Sequence, residues 1–381
     1  MASLLNAPTD PVLDDRTSAA AAPGRCSAST SAKFKELGFV CVCLIVLVHS
    51  ATLRGTPELL GASAGLRAAL AFQAILSDGF ARVALPFFFF VSGYFFFLAI
   101  PSGSTGAWYW PKLRRRLATM GIPYLLWTLV AVLTLEVFRR VIMSGALHPD
   151  AAAHPIGHWI KRILIDSAPL TIWYLREVLI YAALSPLFYL AVRFAGKTVL
   201  ALLALWWCIE LGSDRYYFVT RGMLFFLLGA YVAVWRVDLE LALRRFYRWY
   251  FPLVWVFLVV AKTAWLSHSN YSRDVLYNVL HNAAIVIGLS VVWRCYDSVK
   301  PAIRGLVRDL SQYTFFVFAI HTLLQAVPAR LCLSRIDKTD FLAHTCYYLV
   351  LPPLVVLSCV GMGFLLKRHF RPGYDLMTGW R

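Results

Sequence analysis

The chain has 381 residues, of which 60% are apolar and only 15% are charged. An average soluble domain carries roughly 25% charged residues, so this balance excludes an ordinary soluble enzyme. The net charge of +17 would suit a nucleic-acid partner, but the Lys and Arg residues lie in short segments between long apolar blocks. That distribution is typical of membrane topology, and it indicates membrane lipid, and no nucleic acid, as a partner.

The sequence divides into a tail and a membrane domain. Residues 1–32 are rich in Ala, Ser, Thr and Pro and lack the apolar core of a signal peptide, so they predict a disordered cytoplasmic tail. Residues 33–381 predict an integral membrane domain, because about 20 apolar helical residues cross a bilayer core of about 30 Å. The expected fold class is an all-α membrane protein, a bundle of about ten transmembrane helices. The predicted spans are 36–53, 80–100, 117–138, 173–193, 198–212, 221–236, 250–268, 277–295, 312–330 and 345–366.

The loops between these spans predict the orientation. Lys and Arg are about twice as frequent on the side of the N-terminus as on the other side, and cytoplasmic loops carry such an excess. Both termini are therefore expected in the cytoplasm, in a multi-pass protein of the cell inner membrane. The longest loop, 139–172, would face outwards. Interfacial helices are expected near 66–76 and 156–165, where they could cover a site.

Ionisable and polar side chains within the predicted spans are few. A charged group in the membrane costs several kcal/mol, so each one is a functional hypothesis. Their positions all project to the outer half of the bilayer, and the inner half has almost none. They are His49, Arg82, Arg176, Glu177, Glu210, Arg221, Lys262, His281, Asn282 and His321. The pattern predicts one polar pocket near the outer surface, in which His49 and His321 meet.

Structural roles compete with this interpretation. A membrane histidine such as His49 or His281 often serves only as a hydrogen bonder between helices. Arginines near helix ends can extend to the lipid headgroups instead, which is the alternative for Arg82 and Arg176. Glu210 and Arg221, beside a short loop, could form a structural pair.

No metal cofactor is expected. His148, His154 and His158 include an i,i+4 pair, but a proline interrupts it and no thiolate lies near. Among the eight cysteines, Cys332 and Cys346 flank a hydrophilic loop and could pair if that loop faces an oxidising compartment.

Four segments resemble, in their order and spacing, the membrane acyltransferases of acyltransferase family 3. They are FVCVCLIVLVHS (39–50), RVALPFFFFVSGY (82–94), WYLRE (173–177) and SQYTFFVFAIH (311–321). The chain departs from the family in one respect. Many members carry an arginine eleven residues before the histidine of the first segment, where this chain has Gly38. The nearest cation is Lys35, so Lys35 or another basic group would have to take the role of that arginine.

The resemblance implies transfer of an acyl group from cytoplasmic acyl-CoA, acetyl-CoA first, to a hydroxyl of an extracytoplasmic polysaccharide or its lipid-linked precursor. Acyl transfer to an alcohol needs a base near neutral pKa, which imidazole provides. His49 is the expected base, and Arg82 or Arg176 would stabilise the oxyanion. The expected substrate-binding residues are His321, Glu177, Ser92, Tyr94 and Trp173. The basic cluster that would bind CoA phosphates, or merely determine topology, is Lys112, Arg114, Arg115 and Arg116.

An exopolysaccharide is the favoured acceptor, and polysaccharide biosynthesis or export machinery would be the protein partner. The rival function is a transporter or flippase of a lipid-linked glycan or acyl species, which a polar outer pocket would also suit. Against it, no inverted repeat and no pair of Gly/Pro-broken helices in matching halves is evident. A non-catalytic membrane receptor is a third alternative that no feature favours.

Overall fold

The computed structural model describes residues 26–53, 63–98, 100, 106–142, 172–209, 217–266, 275–333, 335–337 and 339–380. Within these stretches every regular element is a helix. The α-helices, in chain order from α1 to α15, are Ala28–His49, Ala64–Gln73, Ala84–Phe97, Tyr109–Arg116, Ile122–Ile142, Trp173–Ala183, Ser185–Ile209, Tyr217–Val234, Leu239–Phe246, Phe251–Leu266, Val275–Asp297, Pro301–Leu310, Thr314–Leu333, Phe341–His369 and Arg371–Thr378.

The membrane class follows from the length and apolarity of these helices. Among the described residues, five helical runs are long and apolar enough to cross a bilayer, and a sixth is counted if α8 and α9, bent by 119°, form one span. The five are Ala64–Phe97, Tyr109–Thr134, Ser185–Ile209, Val275–Asp297 and Phe341–His369. The all-α membrane fold is therefore confirmed, whereas the expected number of about ten spans is not.

The first helix begins earlier than expected. The Ser27 hydroxyl accepts a hydrogen bond from the backbone N–H of Thr30 and caps α1, a typical helix start. The helix therefore runs from Ala28, within the range assigned to the tail, and it includes Lys33 and Glu36.

Two predicted boundaries are wrong because helices continue through them. The interfacial segment 66–76 is continuous with the next span: α2 passes through a π-helical turn, Ala74–Gly79, and a 3-10 turn, Phe80–Val83, into α3. The basic cluster, assigned to a loop, lies in α4, which continues through a second π-helical turn into α5.

The fourth predicted span is divided between two helices. The segment 173–193 ends its first helix at Ala183, and α7 then runs from Ser185 to Ile209. The expected break between the fourth and fifth spans is present only as a kink at Ala195, whose φ and ψ are −136° and 27°.

Glycines allow α3 and α8 to touch along their backbones. A Cβ at Gly93 would collide with the carbonyl oxygen of Phe226, and a Cβ at Gly229 with that of Phe90. The glycine of the Ser-Gly-Tyr stretch at 92–94 is therefore explained by packing. Only a residue without a side chain lets the backbones of α3 and α8 come this close. α1 packs against α3, α13 and α14, so the helix that ends in His49 is surrounded by others.

Some predictions fall on residues that the structure leaves undescribed. They are the interfacial helix near 156–165, the histidines at 148, 154 and 158, Glu210, and the side chain of Arg221.

Candidate active site

The structure brings together His49 and His321, the two histidines expected in the pocket. His49 is the last residue of α1 and His321 lies in α13. Their ring centroids are 5.6 Å apart and the ring planes are inclined by 47°. His49 is exposed, whereas His321 is fully buried. An accessible imidazole therefore lies against one that is shielded from solvent.

The hydrogen bonds of His321 show which of its two ring nitrogens carries the proton. Its Nδ1 lies 3.1 Å from the carbonyl oxygen of Val317 and 2.8 Å from that of Phe318. Carbonyl oxygens only accept, so Nδ1 carries the hydrogen and, in the neutral ring, Nε2 carries the lone pair. This buried Nε2 has no hydrogen-bond partner among the described residues. A buried polar atom without a partner is unfavourable, and a substrate hydroxyl would satisfy it.

A polar network surrounds the end of α1, and sequence reasoning missed it. The side chain of Gln325 donates to the carbonyl oxygen of Val46 at 2.9 Å and to the Ser50 hydroxyl at 2.8 Å. The Gln73 side-chain oxygen accepts from the backbone N–H of Thr52 at 3.0 Å. Gln325 follows His321 by four residues, the helical spacing that places both on one face, which was the available signal.

A second polar group lies beyond Phe318. The Tyr174 hydroxyl is 2.6 Å from the Ser92 hydroxyl and donates to the carbonyl oxygen of Phe88 at 3.0 Å. The ring of Phe318 lies 6.3 Å from that of His321 and 5.7 Å from that of Tyr174. The Phe318 ring therefore lies between the histidine pair and the Ser92–Tyr174 pair.

Arg176 and Glu177 lie on the same helix as Tyr174. They form an ion pair at 3.3 Å. The Glu177 side chain is almost fully buried, and its second oxygen, Oε2, has no hydrogen-bond partner in the part of the chain that the structure describes. Trp173, the first residue of α6, packs its ring 6.5 Å from that of Phe89.

Arg82 lies in the 3-10 turn before α3 and is partly exposed. Its guanidinium forms an ion pair with Asp78, one turn earlier. The preceding residue, Ser77, lies 2.7 Å from the Tyr348 hydroxyl and donates to the carbonyl oxygen of Leu47 at 3.1 Å. Leu47 is two residues before His49, so Ser77 attaches the segment just before Arg82 to the end of α1.

The basic cluster divides into anchored and exposed members. Lys112 donates to the carbonyl oxygen of Phe96 at 2.5 Å, and Arg116 donates to that of Ser92 at 3.3 Å. Arg114 and Arg115 are exposed. The cluster therefore has two cations that secure α3 and two that remain accessible to an anionic ligand.

Tyr94 is not brought to the histidine pair. Its ring lies 5.5 Å from that of Phe34, in the second turn of α1. Fifteen helical residues separate Phe34 from His49, about 22 Å at 1.5 Å per residue. Tyr94 therefore packs at the far end of the helix.

The far end of α1 carries a network of charged side chains. Lys33 lies 2.6 Å from Asp297 and 3.7 Å from Glu240. The buried Glu36 carboxylate is 2.8 Å from Arg308, and this hydrogen bond raises the pKa of Arg308. The two ends of α1 thus differ: an ion-paired network at one end and a histidine pair at the other.

The remaining site predictions concern metals and thiols. In the described stretches, no group of three or more His, Cys, Asp or Glu side chains lies close enough to hold a metal ion. Cys332 and Cys346 are both free and exposed.

A family model described as an acyltransferase domain matches residues 39–366. The chain therefore belongs to acyltransferase family 3, as its four sequence segments suggest, and it carries the family's membrane-embedded acyltransferase domain. It is 26% identical over 194 residues to the succinoglycan biosynthesis protein ExoH of Rhizobium meliloti (strain 1021), which covers 50% of each chain. The chain thus matches about half the length of that relative. No solved structure matches.

Proposed function

We propose that this protein transfers an acyl group from acyl-CoA, acetyl-CoA or succinyl-CoA, to a hydroxyl of an extracytoplasmic polysaccharide or its lipid-linked precursor. The observation that supports this most is the His49–His321 pair, in which an exposed imidazole lies 5.6 Å from a buried one. The relative named for succinoglycan biosynthesis supports an exopolysaccharide as the acceptor.

His49 acts as the general base. It removes the proton from the acceptor hydroxyl as the oxygen attacks the thioester carbonyl. The C–S bond then breaks, the ester C–O bond remains, and His49 returns the proton to the departing CoA sulfur. The position of His49 at the C-terminal end of α1 suits this role, because the helix dipole favours a positive charge there and so stabilises the transient imidazolium.

The neighbouring groups bind and orient the reactants. Nε2 of His321 accepts a hydrogen bond from an acceptor hydroxyl, since Nδ1 is already bonded to Val317 and Phe318. Arg82 stabilises the negative oxygen of the tetrahedral intermediate. Arg176, Glu177 and the Ser92–Tyr174 pair line the continuation of the pocket.

The donor approaches from the cytoplasmic side in this proposal. The exposed guanidinium groups of Arg114 and Arg115 bind CoA phosphates, for which arginine is well suited. Gly38 has no cationic side chain, and Lys35 is exposed, so Lys35 adds a further positive charge on that side.

The topology that goes with this function is a domain of about ten spans, 33–381, in the cell inner membrane, with both termini and the tail 1–32 in the cytoplasm. The excess of Lys and Arg on the N-terminal side supports it. Polysaccharide biosynthesis or export machinery would present the acceptor.

The test is release of CoA thiol from acetyl-CoA or succinyl-CoA by the purified protein, with succinoglycan freed of its esters by mild alkali as the acceptor. His49→Ala should lower kcat by about 10²-fold or more, the usual contribution of a general base. His369→Ala, an exposed histidine at the end of α14, is the matched control and should behave as wild type. CoA release that is unchanged in His49→Ala contradicts the mechanism, and no release by the wild-type protein favours transport instead.

A further inference from the structure

Lys262 is a fully buried lysine in the apolar helix α10. An ammonium group in the membrane interior costs several kcal/mol unless polar partners surround it. Its Nζ donates a hydrogen bond to the backbone carbonyl of Asp78, lies 3.1 Å from Nδ1 of His281, and lies 5.6 Å from the centre of the Tyr277 ring. The charge is thus directed at the backbone of the π-helical turn that precedes Arg82.

Three successive residues of this turn contact the helices around it, α1, α14 and α10. Ser77 contacts α1 and α14 through its hydroxyl. The carbonyl of Asp78 receives Lys262 from α10. Gly79 packs so closely on α10 that a Cβ there would collide with Val259. Val259 and Lys262 are three residues apart, on one face of α10, so this face supports the turn directly.

The same turn also carries the ion-pair partner of Arg82. The Asp78 carboxylate pairs with the Arg82 guanidinium, while the Asp78 carbonyl pairs with Lys262. A π-helical turn replaces the regular i→i−4 hydrogen bonds of a helix by wider i→i−5 bonds, and here the Asp78 carbonyl accepts a hydrogen bond from outside the turn. Loss of the Lys262 contact would let Asp78 shift, and Arg82 would move with it.

We propose that Lys262 is a positioning residue for acyl transfer: it fixes the π-helical turn at 74–79 and thereby holds Arg82 at the oxyanion position. His281 assists by accepting a hydrogen bond from the ammonium group at Nδ1. This inference rests on the proposed function of Arg82 and His49, and it assigns Lys262 no contact with the substrate.

The experiment measures kcat and the donor KM for four single variants and one double variant of the purified protein, with succinyl-CoA or acetyl-CoA and the ester-free succinoglycan. Lys262→Met should fold, because it replaces a buried charge by an apolar side chain of similar length. Its kcat should fall at least about tenfold, as expected when a catalytic group is misplaced, with the donor KM little changed. Lys262→Arg should recover part of the loss, since it can still donate to the carbonyl. Thr263→Val, the neighbouring control on α10, should behave as wild type.

Arg82→Lys, the fourth variant, separates positioning from mere support of the fold. If Lys262 acts through Arg82, the losses from Lys262→Met and Arg82→Lys overlap, and the double variant is little worse than Arg82→Lys alone. If the fold losses in kcat of the two single variants multiply in the double variant, the proposal is overturned. A kcat of Lys262→Met equal to that of the wild type also overturns it. The His49→Ala variant keeps the two hypotheses distinct. If His49→Ala is active, the proposed function is wrong. If His49→Ala is inactive while Lys262→Met is fully active, only the positioning role of Lys262 is wrong.

Discussion

The imidazole of His49 lies 5.6 Å from that of His321, and the two rings differ in exposure: the first is accessible and the second is fully buried. The buried ring is held by two backbone carbonyls at Nδ1. Its orientation is therefore fixed before any substrate arrives, which reduces the entropy that binding would otherwise cost.

The function of His321 should depend on Nε2 and not on Nδ1. In His321→Gln the side-chain oxygen can take the place of Nε2 as an acceptor, whereas the shorter His321→Asn reaches only the position of Nδ1. The Gln variant should therefore retain more activity, and the Asn variant should lose about tenfold or more, the scale of one hydrogen bond to a reacting group. Steady-state CoA release measures both. Equal activity in the two variants would contradict a role for Nε2.

The Ser92–Tyr174 pair should contribute to stability as well as to the pocket. Tyr174→Phe removes the 2.6 Å contact with Ser92 and the 3.0 Å hydrogen bond to Phe88. Because those groups are buried, the loss should be about 1–3 kcal/mol, seen as a lower melting temperature in detergent. Ser92→Ala is the companion variant. If the hydroxyls act as a pair, the double variant melts close to Tyr174→Phe alone.

The members of the basic cluster should differ in function, with Arg114 and Arg115 binding the donor and Lys112 stabilising the fold. Arg114→Gln with Arg115→Gln should raise the donor KM and weaken its dependence on salt, because exposed cations attract phosphates through a screened field. Their kcat and melting temperature should stay near those of the wild type. Lys112→Met is the contrasting variant: it loses the hydrogen bond to Phe96 and should lower the melting temperature. An unchanged KM in the double arginine variant would make the cluster a topology signal only.

The ionic network at the start of α1 should stabilise the fold. The Glu36 carboxylate is buried and receives hydrogen bonds from Arg308 at 2.8 Å and from the Tyr296 hydroxyl at 2.9 Å. Glu36→Gln should cost about 2 kcal/mol, the usual scale for a hydrogen bond to a charged group. Thermal unfolding in detergent measures it, with the exposed Asp309→Asn as control. A melting temperature equal to that of the control would show that Arg308, itself largely exposed, contributes little.

The sequence alone was sufficient for the membrane class, the family and the histidine pair. A low charged fraction and long apolar blocks indicate membrane helices whatever their arrangement, and a histidine in such a helix is costly enough to be conspicuous. His49 and His321 could therefore be paired by estimating their depths.

Only the tertiary structure decided which helices continue and which polar groups meet. The π-helical turn at 74–79 joins an expected surface helix to a span, and its Ser77 hydroxyl and Asp78 carbonyl find partners on α1, α14 and α10. Likewise, Glu36 and Lys33 find their ion-pair partners on other helices, Arg308 in α12 and Asp297 at the end of α11. Periodicity and hydropathy describe one helix at a time, whereas hydrogen bonds between distant helices depend on packing that no local pattern encodes.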